Sequence, residues 1–167
     1  MGTLFIVSTP IGNLEDITIR AIKTLFMVDI VLCEDTRRTG NLLAEFRKRY
    51  ALLEGLEGSH PSNHRKDAIL RFDDHTENNR VPEIIQWIEQ GKNVALVSDA
   101  GTPLVSDPGY KLVAEALKRG INVVSIPGPT AAIAALSVSG LPTNHFMFMG
   151  YPPEKPSHRI KLFGNLL

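Results

Sequence analysis

The feature that most constrains the fold is a regular alternation of short apolar runs with amphipathic segments. Each run is rich in bulky or β-branched residues and is followed by a polar loop and then by a segment with helical spacing. The runs are TLFIV (3–7), DIVLCE (29–34), NVALVS (93–98) and INVVSI (121–126). Continuous apolar strands joined by helices predict an α/β protein with a parallel-rich sheet and helices on both faces.

Capping residues predict where several helices begin and end. Asp16 or Thr18 can cap a helix through ITIRAIKTLFMV. Asp107 followed by Pro108 predicts the N-cap and first residue of a helix that contains KLVAEALKR. Gly91 predicts the end of the helix RVPEIIQWIEQ.

The remaining segments predict a smaller second domain. The small-residue stretch 127–140 is expected to be a helix, and HFMFMG (145–150) is expected to be a last strand. Residues 51–74 are mostly polar and lack a hydrophobic period, which favours a surface loop. We expect an N-terminal α/β domain over 1–120 and the start of a second α/β domain over 121–167.

Four unusual loops each follow a predicted strand. They are STPIGN, EDTRR, SDAGTPLVSD and PGPTAA. In parallel sheets, ligands bind outside the carboxyl ends of the strands. The four loops should therefore gather at one edge of the sheet and form a ligand site.

Composition excludes several classes of function. The formal net charge is zero, so a nucleic-acid partner requires a local basic patch. Cys33 is the only cysteine, which excludes a disulfide framework and fits a reducing cytoplasm. The sequence has neither a signal-peptide pattern nor an apolar stretch long enough to span a membrane.

Common catalytic and cofactor motifs are absent. The chain has neither G-x-G-x-x-G nor the phosphate loop G-x-x-x-x-G-K-[ST]. His60 and His64 are four residues apart, but Pro61 argues against a helix that would align them, and we expect no metal site. The predicted ligand loops carry backbone N–H groups and small hydroxyls rather than cations, which suits a neutral or cationic ligand.

Each loop also has a simpler structural explanation. STPIGN can be an ordinary strand-to-helix turn, and EDTRR can be a helix cap provided by Asp35 or Thr36. SDAGTPLVSDPG is harder to explain in this way. A simple connection needs one turn, whereas this loop has two turn units that contain Asp99 and Asp107.

Taken together, the motifs resemble the tetrapyrrole-methylase superfamily. The matching pieces are IVSTPIGNLEDIT, EDTRRTGNLL, NVALVSDAGTPLVSDPGY and IPGPTAAIAALSVSGLPTNHFMFMGYPP, in the order found in the family. They are most similar to the bacterial branch that methylates a cytidine ribose 2′-hydroxyl of 16S rRNA in the small ribosomal subunit. The resemblance implies a two-domain, homodimeric α/β enzyme that uses S-adenosylmethionine.

The resemblance also implies site residues. Matched by position, the cofactor contacts fall on Pro10, Ile11, Gly12, Asp99, Gly101, Thr102, Val105, Thr130 and Ala131. For catalysis we expect Glu34 or Asp35 as base or orienting group and Arg37 as a phosphate contact. Asp99 is a rival base, or alternatively fixes the backbone of its loop.

RNA contacts are expected at two places. His75 and Arg80 lie in a segment that resembles a histidine-containing segment of this branch, although a polar approach to a helix explains them equally well. A basic patch over residues 36–50 can hold a phosphate backbone, or can be a solvated helix end; it comprises Arg37, Arg38, Arg47, Lys48 and Arg49.

The sequence also departs from the family pattern. Residues 48–71 look longer than the family linker, and the chain ends at Leu167, where family members are expected to continue. The alternatives are therefore a non-catalytic or partner-dependent shortened homologue that binds cofactor or RNA, and a methylase of a tetrapyrrole or other small molecule.

Overall fold

The computed structural model describes residues 1–50 and 68–164 and shows an α/β architecture. The strands are β1 (Thr3–Val7), β2 (Ile30–Cys33), β3 (Ile69–Arg71), β4 (Val94–Val97) and β5 (Asn122–Ile126). The helices are α1 (Ile19–Met27), α2 (Thr36–Arg49), α3 (Glu77–Glu89), α4 (Tyr110–Lys118), α5 (Ala131–Ser137) and α6 (Pro156–Gly164).

The strands form one parallel sheet in the order β3-β2-β4-β1-β5. β1 lies between β4 and β5, so that Ile6 is in register with Leu96 on one side and with Ser125 on the other. The fold predicted from the alternation of strands and helices is confirmed. The short strand β3 was not predicted, because its hydrophobic signal is only three residues long.

Helices cover both faces of the sheet. On one face, Leu4, Leu32 and Leu96 pack with apolar side chains of α3 and α4. On the other face, Val31 and Val97 pack with side chains of α1 and α2. Neighbouring residues of each strand point to opposite faces, so strands covered on both sides must be apolar throughout.

Two of the predicted helix starts are confirmed by their hydrogen bonds. Thr18, rather than Asp16, caps α1, and its hydroxyl accepts the Ala21 N–H at 3.0 Å. Asp35 caps α2 and accepts the N–H groups of Arg37 and Arg38. These short side chains satisfy donors that the first helical turn leaves unpaired.

The prediction that Asp107 caps α4 is wrong. The helix begins at Tyr110. Its N-cap residue is Gly109, which has a φ of 129° and no side chain that could accept the free N–H groups of the first turn. The donors of the first turn are instead satisfied from α3, where the Glu77 carboxylate accepts the Gly109 and Lys111 N–H groups. A cap supplied from a distant segment leaves no local pattern in the sequence.

The chain divides into two compact units, Met1–Ala131 and Ala132–Leu167. β5, which was expected to open the second domain after residue 120, pairs with β1 and so completes the sheet of the first unit. The predicted helix within 127–140 is present as α5. The strand predicted over 145–150 is wrong, because these residues are exposed and pair with none of the described strands.

Candidate active site

Ser8 and Thr9, at the carboxyl end of β1, are buried and bind the loop that follows β4. Thr9 and Gly101 exchange two backbone hydrogen bonds, of 2.9 and 3.0 Å. The Thr9 hydroxyl also donates to the Ser98 carbonyl at 3.1 Å. The first and third predicted loops therefore form one connected structure, although about 90 residues separate them.

The loop over residues 98–109 has an unusual backbone. Four of its residues have positive φ: Gly101 (91°), Leu104 (72°), Ser106 (65°) and Gly109 (129°). For Leu104 and Ser106 this conformation costs on the order of 1–2 kcal/mol each. Strain of this kind persists only where the surrounding contacts impose it, and it is common at ligand sites.

Thr102 links this loop to two other strand ends. Its hydroxyl lies 2.9 Å from the Ser8 hydroxyl and donates to the Pro129 carbonyl at 3.4 Å. Ser8 also packs tightly on the loop after β5, because a Cβ added to Gly128 would lie 2.8 Å from the Ser8 Cβ. Three of the four predicted loops therefore converge around Thr102.

The fourth loop, after β2, joins the same edge through a charged pair. Arg38, in the first turn of α2, donates from Nη1 to Asp99 Oδ2 at 2.9 Å. The other Asp99 oxygen, Oδ1, is buried and accepts no hydrogen bond from the residues that the structure describes. A buried carboxylate oxygen without a donor is costly, which makes it a natural acceptor for a ligand donor.

Negative charge accumulates at this edge. Burial, with repulsion from Asp107 and Asp99, raises the pKa of Glu34, although the Asp99 N–H opposes this by hydrogen bonding to it. Burial, opposed by a hydrogen bond with Ser98, also raises the pKa of Asp107. Asp35 differs, because the N–H groups that it caps lower its pKa. Perturbed carboxyl groups of this kind are typical of functional sites.

A pocket of about 180 Å³ lies beside these residues. It brings together the first loop, α2 and the end of β4, and its lining residues are Pro10, Gly12, Leu14, Arg38, Thr39, Leu42, Ser98 and Asp99. Ile11 approaches the loop after β4 closely, since a Cβ on Gly101 would lie 3.4 Å from its Cγ2. The structure thus brings the predicted residues of the first loop together with three from the loop after β4, namely Asp99, Gly101 and Thr102.

The remaining predicted residues differ in their exposure. The Val105 side chain is 53% exposed, Thr130 is half-buried and Ala131 is exposed at the start of α5. His75 is exposed, and its backbone N–H donates to Asp73 in the turn before α3. His60 and His64 lie outside the described residues.

The basic patch of α2 borders a larger groove. A cavity of about 790 Å³ is lined by Phe26, Thr36, Arg37, Gly40, Asn41, Leu43, Ala44, Arg47 and Ile69. The Arg47 guanidinium lies over the Phe26 ring, 5.5 Å from its centre. Arg49 is bound to Glu45 at 2.6 Å, so it is less available to an anionic partner than Arg37, whose side chain is 91% exposed.

Three residues that hold these loops in place were not predicted from the sequence. Ser8 and Thr9 carry a weak signal, since they are hydroxyl residues directly after a buried strand. Glu77 carries none, because its partners are more than 30 positions away. Burial raises the pKa of the Cys33 thiol to about 11, which disfavours the thiolate form that a nucleophile needs.

Within 1–50 and 68–164, no three His, Cys, Asp or Glu side chains are grouped so that they could hold a metal ion. The helices in the same ranges are all too short or too polar to cross a bilayer.

The fold and this edge define a class of protein, the α/β proteins whose ligand cleft lies at the carboxyl ends of parallel strands. A family model described as Tetrapyrrole (Corrin/Porphyrin) Methylases matches residues 3–157. The chain therefore belongs to the tetrapyrrole methylase family, and the resemblance seen in its motifs is confirmed.

Curated relatives carry a common name. The chain is 46% identical over 159 residues to "Ribosomal RNA small subunit methyltransferase I" of Thermotoga maritima, which covers 95% of this chain and 64% of the relative. It is 44% identical over 158 residues to the protein of the same name from Escherichia coli O157:H7, which covers 95% and 49%. The chain thus spans about half to two thirds of the length of these relatives.

Solved structures show the same fold. Diphthine synthase superposes with a TM-score of 0.63 at 18% identity, over 99% of this chain and 61% of that one. Uroporphyrin-III-C-methyltransferase from Thermus thermophilus gives 0.54 at 24% identity, over 87% and 55%. At these identities the likeness concerns the fold alone.

Proposed function

We propose that this chain binds S-adenosylmethionine at the edge described above and belongs to a methyltransferase that acts on a cytidine ribose 2′-hydroxyl of 16S rRNA. The observation that carries the binding proposal is the convergence of three strand-end loops on Thr102, together with the buried Asp99 Oδ1, which has no hydrogen-bond partner among the described residues. The RNA substrate is supported by the name shared by the curated relatives.

The residues present fit such a cofactor. S-adenosylmethionine supplies a methyl group on a positively charged sulfur, together with amine and hydroxyl donors. Asp99 offers an acceptor for one of these donors, and the nearby Glu34 and Asp107 carboxyls disfavour anions and favour a cation. The backbone of the first loop, at Pro10, Ile11 and Gly12, is proposed to contact the cofactor directly. Further contacts are proposed at Val105, Thr130 and Ala131.

Of Glu34 and Asp35, Glu34 is the better candidate for the base. A ribose hydroxyl is a weak nucleophile and gains from a carboxylate that accepts its proton. The capping hydrogen bonds of Asp35 lower its pKa and occupy one of its oxygens. Burial and neighbouring carboxylates raise the pKa of Glu34, which makes it the stronger base. Positioning the hydroxyl near the methyl group accounts for much of the remaining catalysis.

The exposed arginines of α2 are proposed to bind the RNA backbone. Arg37 and Arg47 both line the 790 Å³ groove, and Arg38 at the start of the helix reaches Asp99. The arginines that line the groove and Arg38, which reaches the proposed cofactor site, are therefore carried by the same helix, although the groove and the 180 Å³ pocket share no lining residue. Contacts between arginine and phosphate release counterions, so binding of RNA should weaken as salt rises.

Calorimetric titration with S-adenosylmethionine tests the cofactor site. We expect saturable binding by the wild-type chain and none by Thr102→Arg, which places a bulky cation where three loops meet. Tyr110→Arg is the control, because it adds the same charge at a side chain that is 76% exposed. Absence of binding by the wild type at millimolar cofactor would contradict the proposal.

Transfer of a labelled methyl group tests the substrate. We expect label in the 16S rRNA of small ribosomal subunits and none in protein-free porphyrinoids; the reverse would identify a small-molecule methylase. Cofactor binding without transfer to either would identify a binding module. For RNA binding, Arg47→Ala should reduce the salt slope by about one, whereas Arg119→Ala, a control paired with Glu89 and Glu115, should not.

Assembly and location are proposed on the same basis. We infer a homodimer that acts in the cytoplasm, where ribosomal subunits are found. Large apolar side chains are exposed in the second unit, including Phe146 and Phe148, which is compatible with an interface. Light scattering coupled to gel filtration measures the mass, and a monomer at micromolar concentration would contradict the dimer.

A further inference from the structure

Glu77 is a buried carboxylate that neither the proposed chemistry nor the sequence motifs explain. It is the first residue of α3 and is only 5% exposed. Acidic side chains are rarely buried unless their oxygens are paired. The contacts of Glu77 therefore need an explanation.

Those contacts all lead to the start of α4. Glu77 Oε1 accepts the Gly109 N–H at 3.0 Å and the Lys111 N–H at 3.2 Å. Glu77 Oε2 lies 3.5 Å from Lys111 Nζ, and that ammonium also donates to Asn78 Oδ1 at 2.7 Å. The first turn of α3 and the first turn of α4 are thus clamped together. A carboxylate at a helix N-terminus also complements the helix dipole.

The clamp lies at the exit of the loop over residues 98–109. Gly109 is packed tightly, since an added Cβ would lie 3.3 Å from Leu104 Cγ and closer still to a Leu96 methyl. The loop is therefore held at two ends. Thr9 and Thr102 hold it near its start, and Glu77 holds it at Gly109. Between these points lie the strained residues Leu104 and Ser106.

The clamp also determines what Asp107 does. An aspartate two residues before Gly109 is suited to cap the helix that follows, but the Glu77 carboxylate already accepts the free N–H groups. Asp107 instead hydrogen-bonds with Ser98, while burial and the negative charges of Asp99 and Asp74 raise its pKa. Glu77 thus leaves the Asp107 carboxyl to bond with Ser98, which lines the pocket of the candidate active site.

We propose that Glu77 is a positioning residue for the ligand loop: by capping α4 from α3, it holds residues 104–109, in which Leu104, Ser106 and Gly109 are left-handed, and leaves Asp107 to bond with Ser98. This inference rests on the proposed cofactor site for its functional consequence, but its structural part does not. It predicts that loss of the carboxylate loosens one loop rather than the whole domain.

Hydrogen exchange followed by mass spectrometry tests the structural part. In Glu77→Ala, amides over 104–112 should exchange at least about tenfold faster, the size expected for loss of a charge-assisted hydrogen bond. Amides of β1 and β4 should stay close to wild type. Glu77→Gln keeps an acceptor oxygen and should recover part of the protection. Because it is isosteric, it also provides the comparison if Glu77→Ala does not fold.

Two controls separate this role from general destabilisation. Glu89→Ala removes a carboxylate of the same helix that binds Arg119 at the surface, and should leave the loop unchanged. Ile88→Val weakens the core beneath α3 and should not accelerate exchange selectively in the loop. Uniform acceleration in Glu77→Ala, or protection in Glu77→Gln no better than in Glu77→Ala, would overturn the proposal.

Calorimetry tests the functional part. At a temperature well below unfolding, S-adenosylmethionine should bind Glu77→Ala on the order of tenfold more weakly, with Glu77→Gln intermediate and both controls like wild type. Wild-type affinity in Glu77→Ala would overturn the positioning role. If even the wild type does not bind, the proposed function fails, whereas the exchange experiment still decides whether Glu77 holds the loop.

Discussion

The guanidinium of Arg38 donates to the carboxylate of Asp99 across 61 positions of the sequence, at a distance of 2.9 Å. The contact joins the first turn of α2 to the loop after β4. It engages Asp99 Oδ2 only and leaves Oδ1 buried without a partner among the described residues. Arg38 thus orients the oxygen that we propose for the cofactor.

Arg38→Gln should affect the ligand more than the fold. The Arg38 side chain is 71% exposed, so its ion pair should contribute less than about 1 kcal/mol to the free energy of unfolding. Loss of the guanidinium frees Asp99 to rotate, and affinity for S-adenosylmethionine should fall. Arg119→Gln, which breaks pairs with Glu89 and Glu115, is the control. Equal affinity in both variants would argue against an orienting role.

Gly101→Ala should destabilise the protein and weaken the site at the same time. At φ 91° an alanine costs on the order of 1–2 kcal/mol, and its Cβ would lie 3.4 Å from the Ile11 Cγ2. Gly120→Ala is a matched control, because it has a φ of 70° but meets no atom within 4 Å. Denaturant unfolding should show similar losses in both variants. Calorimetry should show weaker cofactor binding in Gly101→Ala alone.

The pH dependence of activity should report Glu34. A base works only when ionised, so methyl transfer should decline as pH falls through a pKa that burial and Asp107 raise above 4.5. Asp107→Asn removes one repelling charge and should move this acidic limb to lower pH. Glu34→Gln should remove most activity, and a limb that is unchanged in Asp107→Asn would assign the base elsewhere.

Stability gives an independent measurement of the same group. Between 4.5 and its raised pKa, Glu34 binds more protons in the folded state than in the unfolded state. Its contribution to the free energy of unfolding should therefore fall as pH rises through this range. The difference in stability between wild type and Glu34→Gln, measured by denaturant unfolding, should show this trend.

Asp73 should stabilise the fold except in strong acid. Although burial opposes it, hydrogen bonds from Thr76 and Arg71 lower the pKa of Asp73 to about 2, from 3.8. The stabilising effect is complete above 3.8 and is lost as pH falls towards 2. The gap in melting temperature between wild type and Asp73→Asn should therefore close over this range. Asp16→Asn, at an exposed position, is the control.

Much of the fold could be predicted because its signals are local. Four strands of the sheet appear as apolar runs, and Thr18 and Asp35 lie where helices need caps. The parallel arrangement follows from the helices between the strands, and the gathering of the loops follows from the parallel arrangement. β3 was missed and a strand over 145–150 was wrongly expected, because short apolar runs do not show whether a partner strand lies beside them.

The candidate site divides in the same way. Its loops were recognised from sequence, including Asp99, Gly101 and Thr102, because glycine, proline and carboxylates cluster there. The sequence did not predict that Glu77, rather than Asp107, accepts the free N–H groups at the start of α4. Both carboxylates can cap α4, and only the packing of α3 on α4 decides which one reaches the free N–H groups.

The strands, most helices and the edge at which the ligand loops meet follow from the local sequence, because they depend on hydrophobic period, capping and chain direction. The hydroxyl contact between Ser8 and Thr102, the ion pair of Arg38 with Asp99 and the capping of α4 by Glu77 rather than Asp107 follow only from packing in three dimensions. Contacts of this kind join segments far apart in the chain. Their partners are selected by packing and by the cost of leaving a buried polar group unpaired, not by any local pattern.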